Sequence, residues 1–69
     1  MSKPIFESVR INLNSPDGNA LAIIGIVMNC LTQAKYHIAE RESIKKDMLS
    51  SDYKHLCKVA SKYVYLYED

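Results

Sequence analysis

The stretch NSPDGNALAIIG, residues 14–25, sets a turn-forming cluster directly against an apolar run. A strand cannot pass through such a cluster, and a helix has to begin inside it. Ser15 suits the N-cap, where a hydroxyl accepts a hydrogen bond from an amide one turn on. Pro16 suits the first helical position, because its missing N–H is no loss there and its φ is already helical. Asp17 places a negative charge where the helix dipole favours one. Ahead of the cluster, Ile5, Val9, Ile11 and Leu13 fall on odd positions, with Ser8, Arg10 and Asn12 between them. That alternation predicts a half-buried strand over residues 5–13, with Glu7 as the one misfit.

After the cluster, Ala20, Ile23, Ile24, Val27, Leu31, Ala34 and Ile38 recur at three- and four-residue steps, which predicts a long central helix with a buried stripe. Leu21, Gly25, Met28 and Thr32 form a second stripe beside the first. A helix apolar on two sides needs more cover than a short chain offers. The chain has 69 residues, room for one domain, and a domain of that size hides only about 60% of the surface its unfolded form exposes. Self-association is the expected supplement. Leu21, Gly25 and Met28 are the candidate interface, since Ala22 and Gly25 let another backbone come close.

The remainder reads as two shorter helices and an ambiguous end. AERESIKKDML is charged, with Ile44, Met48 and Leu49 as its apolar positions. Asp52 or Ser51 can cap a third helix whose Leu56, Val59, Ala60 and Tyr63 face inward. In KYVYLYED the period changes. Tyr63, Tyr65 and Tyr67 alternate with Val64 and Leu66, which favours a C-terminal strand beside residues 5–13. Continuation of the helix is the competing reading. The fold class expected is therefore α+β, mainly helical, and oligomeric. Cys30 and Cys57 each sit in an apolar helical pattern, where a thiol behaves as a small hydrophobe, so free buried thiols are expected in preference to a bridge.

No apolar run reaches the length of a membrane span, because Gly25 and Asn29 interrupt the longest one. MSKPIFES lacks the apolar core of a signal peptide, so a cytoplasmic protein without membrane contact is expected. The net charge of +1 gives no global attraction to long nucleic acid, whose binding usually needs a larger basic excess.

Two segments carry a family likeness. Ser15, Pro16, Asp17, Gly18, Asn19 and Ala20, followed later by Ser51, Asp52, Tyr53 and Leu56, resemble a group of small proteins encoded by tailed bacteriophages. That group has a strand, a Ser-Pro-Asp/Glu-Gly-Asn-Ala helix start and a later Ser-x-Asp-Tyr-x-x-Leu segment. The resemblance spans most of the chain and departs where SSDY stands in place of the commoner Ser-Gly-Asp-Tyr. It implies a phage origin and brings no enzymatic activity with it. Small phage proteins without catalytic motifs commonly act on the host by binding a host protein or a defence signal.

The residues themselves offer a modest set of binding candidates. Amides of Asp17, Gly18 and Asn19 at the helix start can receive a phosphate, although Asp17 repels one and a capped helix with nothing bound is the plainer reading. Lys54, Lys58 and Lys62 recur every four residues and line one side of the third helix, as an anion site or simply as a solvated face. Tyr63, Tyr65 and Tyr67 on a strand can present rings for stacking a base, as in single-strand binders, although such residues more often fill a core or interface. Catalysis has little support. His37 and His55 lack a nucleophile at a recognised spacing, Glu40 and Glu42 point to different sides of a helix, and no metal-ligand cluster or phosphate loop occurs. No cofactor is expected. The expectation is a non-enzymatic, homo-oligomeric phage protein that counters host defence. It would sequester a small phosphorylated or cyclic-nucleotide signal at subunit seams, through Asp17, Gly18, Asn19, Lys54, Lys58 and Tyr65. The alternative is an inhibitor or adaptor that binds a host protein through an apolar, tyrosine-rich surface.

Overall fold

The computed structural model describes residues 3–69. Strand β1, Phe6–Asn12, leads through a single 3-10 turn at Pro16–Gly18 into helix α1, Ala20–Gln33. Helices α2, Ile38–Met48, and α3, Tyr53–Ala60, follow, and strand β2, Val64–Tyr67, closes the chain. The two strands pair in parallel, with the three helices forming the crossover between them. A parallel pair requires such a crossover, since a tight hairpin can join only antiparallel strands. The fold is α+β and mainly helical, and residues 64–67 are a strand, as the tyrosine alternation predicts.

The pairing in β1 is irregular. Phe6 lies opposite Val64 and Arg10 opposite Tyr65, so β1 advances from 6 to 10 while β2 advances by a single residue. This bulge shifts the phase of the strand. Phe6 packs against the core before it, Val9 within it, and Ile11 and Leu13 after it. Ile5, expected to face inward, is exposed, and Phe6 takes its place. The polar residue Glu7, out of step in the sequence, lies within the bulge.

The expected long central helix is in fact three pieces. Pro16–Gly18 forms its own 3-10 turn, capped by Ser15. The α-helix proper starts at Ala20, with Asn19 as its N-cap and Asn19 Oδ1 accepting from Ala22 N–H at 2.9 Å. It stops at Gln33 because Lys35 turns into the left-handed region, φ 63°. The amide of Tyr36 donates to Leu31 O and that of Lys35 to Thr32 O, both at 3.0 Å. That pair of bonds is a Schellman motif, which satisfies the end carbonyls of a helix and ends it. Tyr36, just past the cap, packs back against the core, and its ring lies 6.4 Å from that of Phe6. Beyond the break, Ala34 and Ile38 are exposed and do not extend the buried stripe.

The core consists of Ile11, Ile23, Ile24, Val27, Leu31, Met48, Leu56, Val59, Ala60 and Val64. It joins both strands and all three helices, each of which buries one face. The stripe on α1 is largely covered by its own chain: Ile23, Ile24, Val27 and Leu31 are buried, and Ile26, Met28 and Cys30 pack at the margin. Covering this helix therefore does not require copies of the chain, and the expected oligomer finds no support in it. Among the described residues, no helix is long and apolar enough to cross a membrane.

Candidate functional site

At the SPDGN turn, the backbone groups are taken up locally. Ser15 Oγ donates to Asn12 O at 2.6 Å and accepts from Asp17 N–H at 3.2 Å. Gly18 N–H donates to Ser15 O at 2.9 Å, and Asn19 Nδ2 donates to Pro16 O at 2.7 Å. The amides of Asp17 and Gly18 are thus already engaged. Gly18 has a structural reason to lack a side chain. A Cβ there would stand 2.0 Å from Leu13 O and 2.5 Å from its carbonyl carbon, so the backbone of β1's exit fills that space. The Tyr53 hydroxyl donates to Gly18 O, which ties the start of α3 to this turn. Tyr53 is the first residue of α3, and Asp52 caps that helix by accepting from His55 N–H at 2.9 Å.

Lys54 therefore follows directly on the residue that reaches the turn. Lys54 and Lys58 project from α3 into solvent, and Lys62 lies in the turn after it. The face opposite them carries Leu56, Val59 and Ala60, all buried. Beside the row, His55 Nε2 lies 3.1 Å from Asp47 Oδ1, and among the described residues no Lys or Arg pairs with a carboxylate.

Tyr65 belongs to a different surface. Alternation along β2 sends Val64 and Leu66 to the core and leaves Tyr65 and Tyr67 outward, 47% and 38% exposed. Their ring centroids are 6.1 Å apart, and the Arg10 guanidinium sits 5.4 Å from the centre of the Tyr65 ring. Register brings them together, since Arg10 lies opposite Tyr65 across the parallel pair. A cation over an aromatic face is favourable by about 0.5–1 kcal/mol at an exposed site. Sequence reading singled out Tyr65 and Tyr67 together with Tyr63, but missed Arg10 as their companion. The available signal was that the polar phase of β1 and the tyrosine phase of β2 must share the outer face once the strands pair. Tyr63 differs from these two. It is half-buried in the turn before β2, where burial raises its pKa and the nearby Tyr36, Asp47 and Glu40 raise it further.

The residues expected at an interface separate as well. Leu21 is 83% exposed, and Gly25 is exposed with nothing within 4 Å of an added Cβ. Met28 instead packs at the margin of the core. Cys30 and Cys57 are free and half-buried, and burial pushes the Cys30 thiol up. Among the described residues no group of three or more His, Cys, Asp or Glu side chains could hold a metal ion.

Two open hollows lie on α2. One, of about 610 Å³, runs along its outer side past Ala39, Glu42, Ser43, Lys45, Lys46 and Leu49. The other, of about 470 Å³, lies between α2 and the strand entrance and is floored by Ile5, Tyr36, Ile44 and Tyr63. Both are broad and shallow. Comparison with protein families, curated proteins and solved structures finds no match to this chain.

Proposed function

We propose that this chain is a phage-encoded, non-enzymatic binding protein of the host cytoplasm that counters host defence by engaging a host protein. Its contact surface is the outer face of the β1–β2 pair, centred on Arg10, Tyr65 and Tyr67. The observation carrying this reading is the exposed tyrosine pair with a guanidinium stacked on one ring. Tyrosine and arginine dominate the energetic centres of protein interfaces, because each offers a large flat contact area with a polar tip. A parallel pair with one bare face is also unusual, since parallel sheets are normally covered on both sides.

A host protein fits this surface better than a small solute does. Small-molecule sites enclose most of their ligand, whereas this face and both hollows on α2 are open. Capture from host lysate on immobilised protein tests the reading. One host protein is retained by the wild type and lost with Tyr65→Ala or Arg10→Ala, while circular dichroism stays native. Retention unchanged in both variants removes the sheet face from the proposal.

The second reading is sequestration of a small phosphorylated or cyclic-nucleotide signal between copies of the chain. It is favoured by the same cluster, since two ring faces and a cation suit a base and its phosphate. Lys54 and Lys58, exposed on α3 and on a different surface from Tyr65, are the further cations this reading would use. A thermal shift with a panel of cyclic nucleotides, abolished by Lys54→Glu with Lys58→Glu, supports it. Absence of any shift, together with a captured host protein, favours the first reading.

A further inference from the structure

We infer that the outer face of α2 is a contact between two copies of this chain, packed antiparallel about a two-fold axis at the level of Ile44. The inference is independent of the proposed function, because it uses another side of the molecule.

The inner side of α2 is committed: Met48 is buried and Ile44 is half-buried against the core. Turning about 100° per residue from there, the side facing away carries Ala39, Glu42, Ser43, Lys46 and Leu49, which are all exposed. These residues line the open hollow along the helix. Two apolar residues flank the charges: Ile38 at the start is 60% exposed and Leu49 just past the end is 57% exposed.

The order of these residues is self-complementary when the helix is reversed. In an antiparallel pair centred at Ile44, Glu42 of one copy comes level with Lys46 of the other, and Lys46 with Glu42. Ala39 comes level with Leu49 in both halves, so a small residue meets a large one. Ser43 comes level with Lys45. Each opposite charge is thus matched twice by one two-fold operation, as an isologous interface requires. A parallel pair would instead set Glu42 against Glu42 and Lys46 against Lys46. Within one chain, neither Glu42 nor Lys46 pairs with an opposite charge, since the one such contact among the described residues is between His55 and Asp47. Both side chains are free to reach across. Antiparallel packing also sets the positive N-terminal end of one helix dipole beside the negative C-terminal end of the other.

One helix laid on another covers less than the roughly 1,000 Å² of a stable interface, so the dimer is expected to be weak and concentration-dependent. Sedimentation equilibrium from about 10 μM to about 1 mM reads it directly. The wild type associates to a dimer in this range, and less so as salt rises from about 0.05 to about 0.5 M. Glu42→Lys sets lysine against Lys46 of the other copy, and Lys46→Glu sets glutamate against Glu42. Each variant alone is expected to be monomeric, weakened at least tenfold. A one-to-one mixture of the two restores dimers, because every facing pair is again opposite in charge. Both positions in this test are exposed, and circular dichroism confirms that the variants fold. A wild type that stays monomeric to the highest concentration overturns the inference. So does a dimer that both single variants form as well as the wild type, since another face would then be in contact.

Discussion

The Tyr53 hydroxyl donates to the carbonyl of Gly18, joining the first residue of α3 to the turn that precedes α1 across 35 residues of chain. This bond holds two helix starts side by side, each with its own cap: Asn19 for α1 and Asp52 for α3. Removing the hydroxyl leaves the carbonyl open to water instead of buried without a partner, so the cost is at the low end for a hydrogen bond. Tyr53→Phe is expected to lose about 0.5–1 kcal/mol in urea unfolding, with an unchanged m-value. No loss at all would mean that the ring, which phenylalanine keeps, and not the hydroxyl carries the contact.

The two glycines are expected to respond in opposite senses to alanine. At Gly18 the added carbon meets the Leu13 carbonyl, 2.0 Å from its oxygen, and backbone on both sides leaves nothing to move aside cheaply. Gly18→Ala should cost about 3 kcal/mol or more. At Gly25, in the interior of α1, an added carbon meets open space. Gly25→Ala should therefore stabilise the protein by about 0.5–1 kcal/mol, through the better helix propensity of alanine. Thermal melts of the two variants separate the roles. A destabilised Gly25→Ala would show that another backbone lies against this glycine in solution, as the sequence pattern suggested.

Lys35 occupies the left-handed position of the α1 cap, a place where glycine is commonest because side chains are strained there. Lys35 is exposed, so its replacement costs no packing. Lys35→Gly should raise the free energy of unfolding by about 0.5–1 kcal/mol. If the gain is absent, the left-handed turn is not the conformation that ends the helix.

Local signals in the chain were legible and longer-range ones were not. The strand, the capping by Ser15 and Asp52 and the inward faces of α1 and α3 follow from residue types at fixed short spacing, which is the range over which caps and periodicity act. The break at Lys35 was missed because neither glycine nor proline marks it, and the stop depends on Tyr36 packing back onto Phe6. The second cap at Asn19 was hidden because Ser15 fits the same role four residues earlier, and a 3-10 turn fits between them. The bulge left one trace, the misplaced Glu7. Of the candidate site residues, Asp17, Gly18 and Asn19 were found as a turn, but the carbonyl that fills the space at Gly18 comes from tertiary packing. Arg10 was passed over because its partner Tyr65 lies 55 residues on and is set beside it by strand register alone.

Tyr63 should give the protein an alkaline limit. Burial holds its proton more tightly in the folded chain, and Tyr36, Asp47 and Glu40 add to this by disfavouring another negative charge. In the unfolded chain the same hydroxyl titrates near the usual tyrosine value, about 10. Below that value both states keep the proton, and stability does not depend on this group. Above it the unfolded state gives up its proton first, so it binds fewer protons than the folded state and unfolding becomes easier as pH rises. The fall should be complete once the pH passes the raised value in the folded chain. Tyr63→Phe removes the titrating group while keeping the ring in place, so its unfolding free energy should decline less steeply between about pH 9 and about pH 11. Some decline should persist, because Tyr53 is also raised, through burial first and then through Cys57 and Glu68. Urea unfolding at each pH, alongside the ultraviolet titration of tyrosinate, provides the comparison. Superimposable slopes for the variant and the wild type would show that Tyr63 titrates alike in both states and is not held by its surroundings.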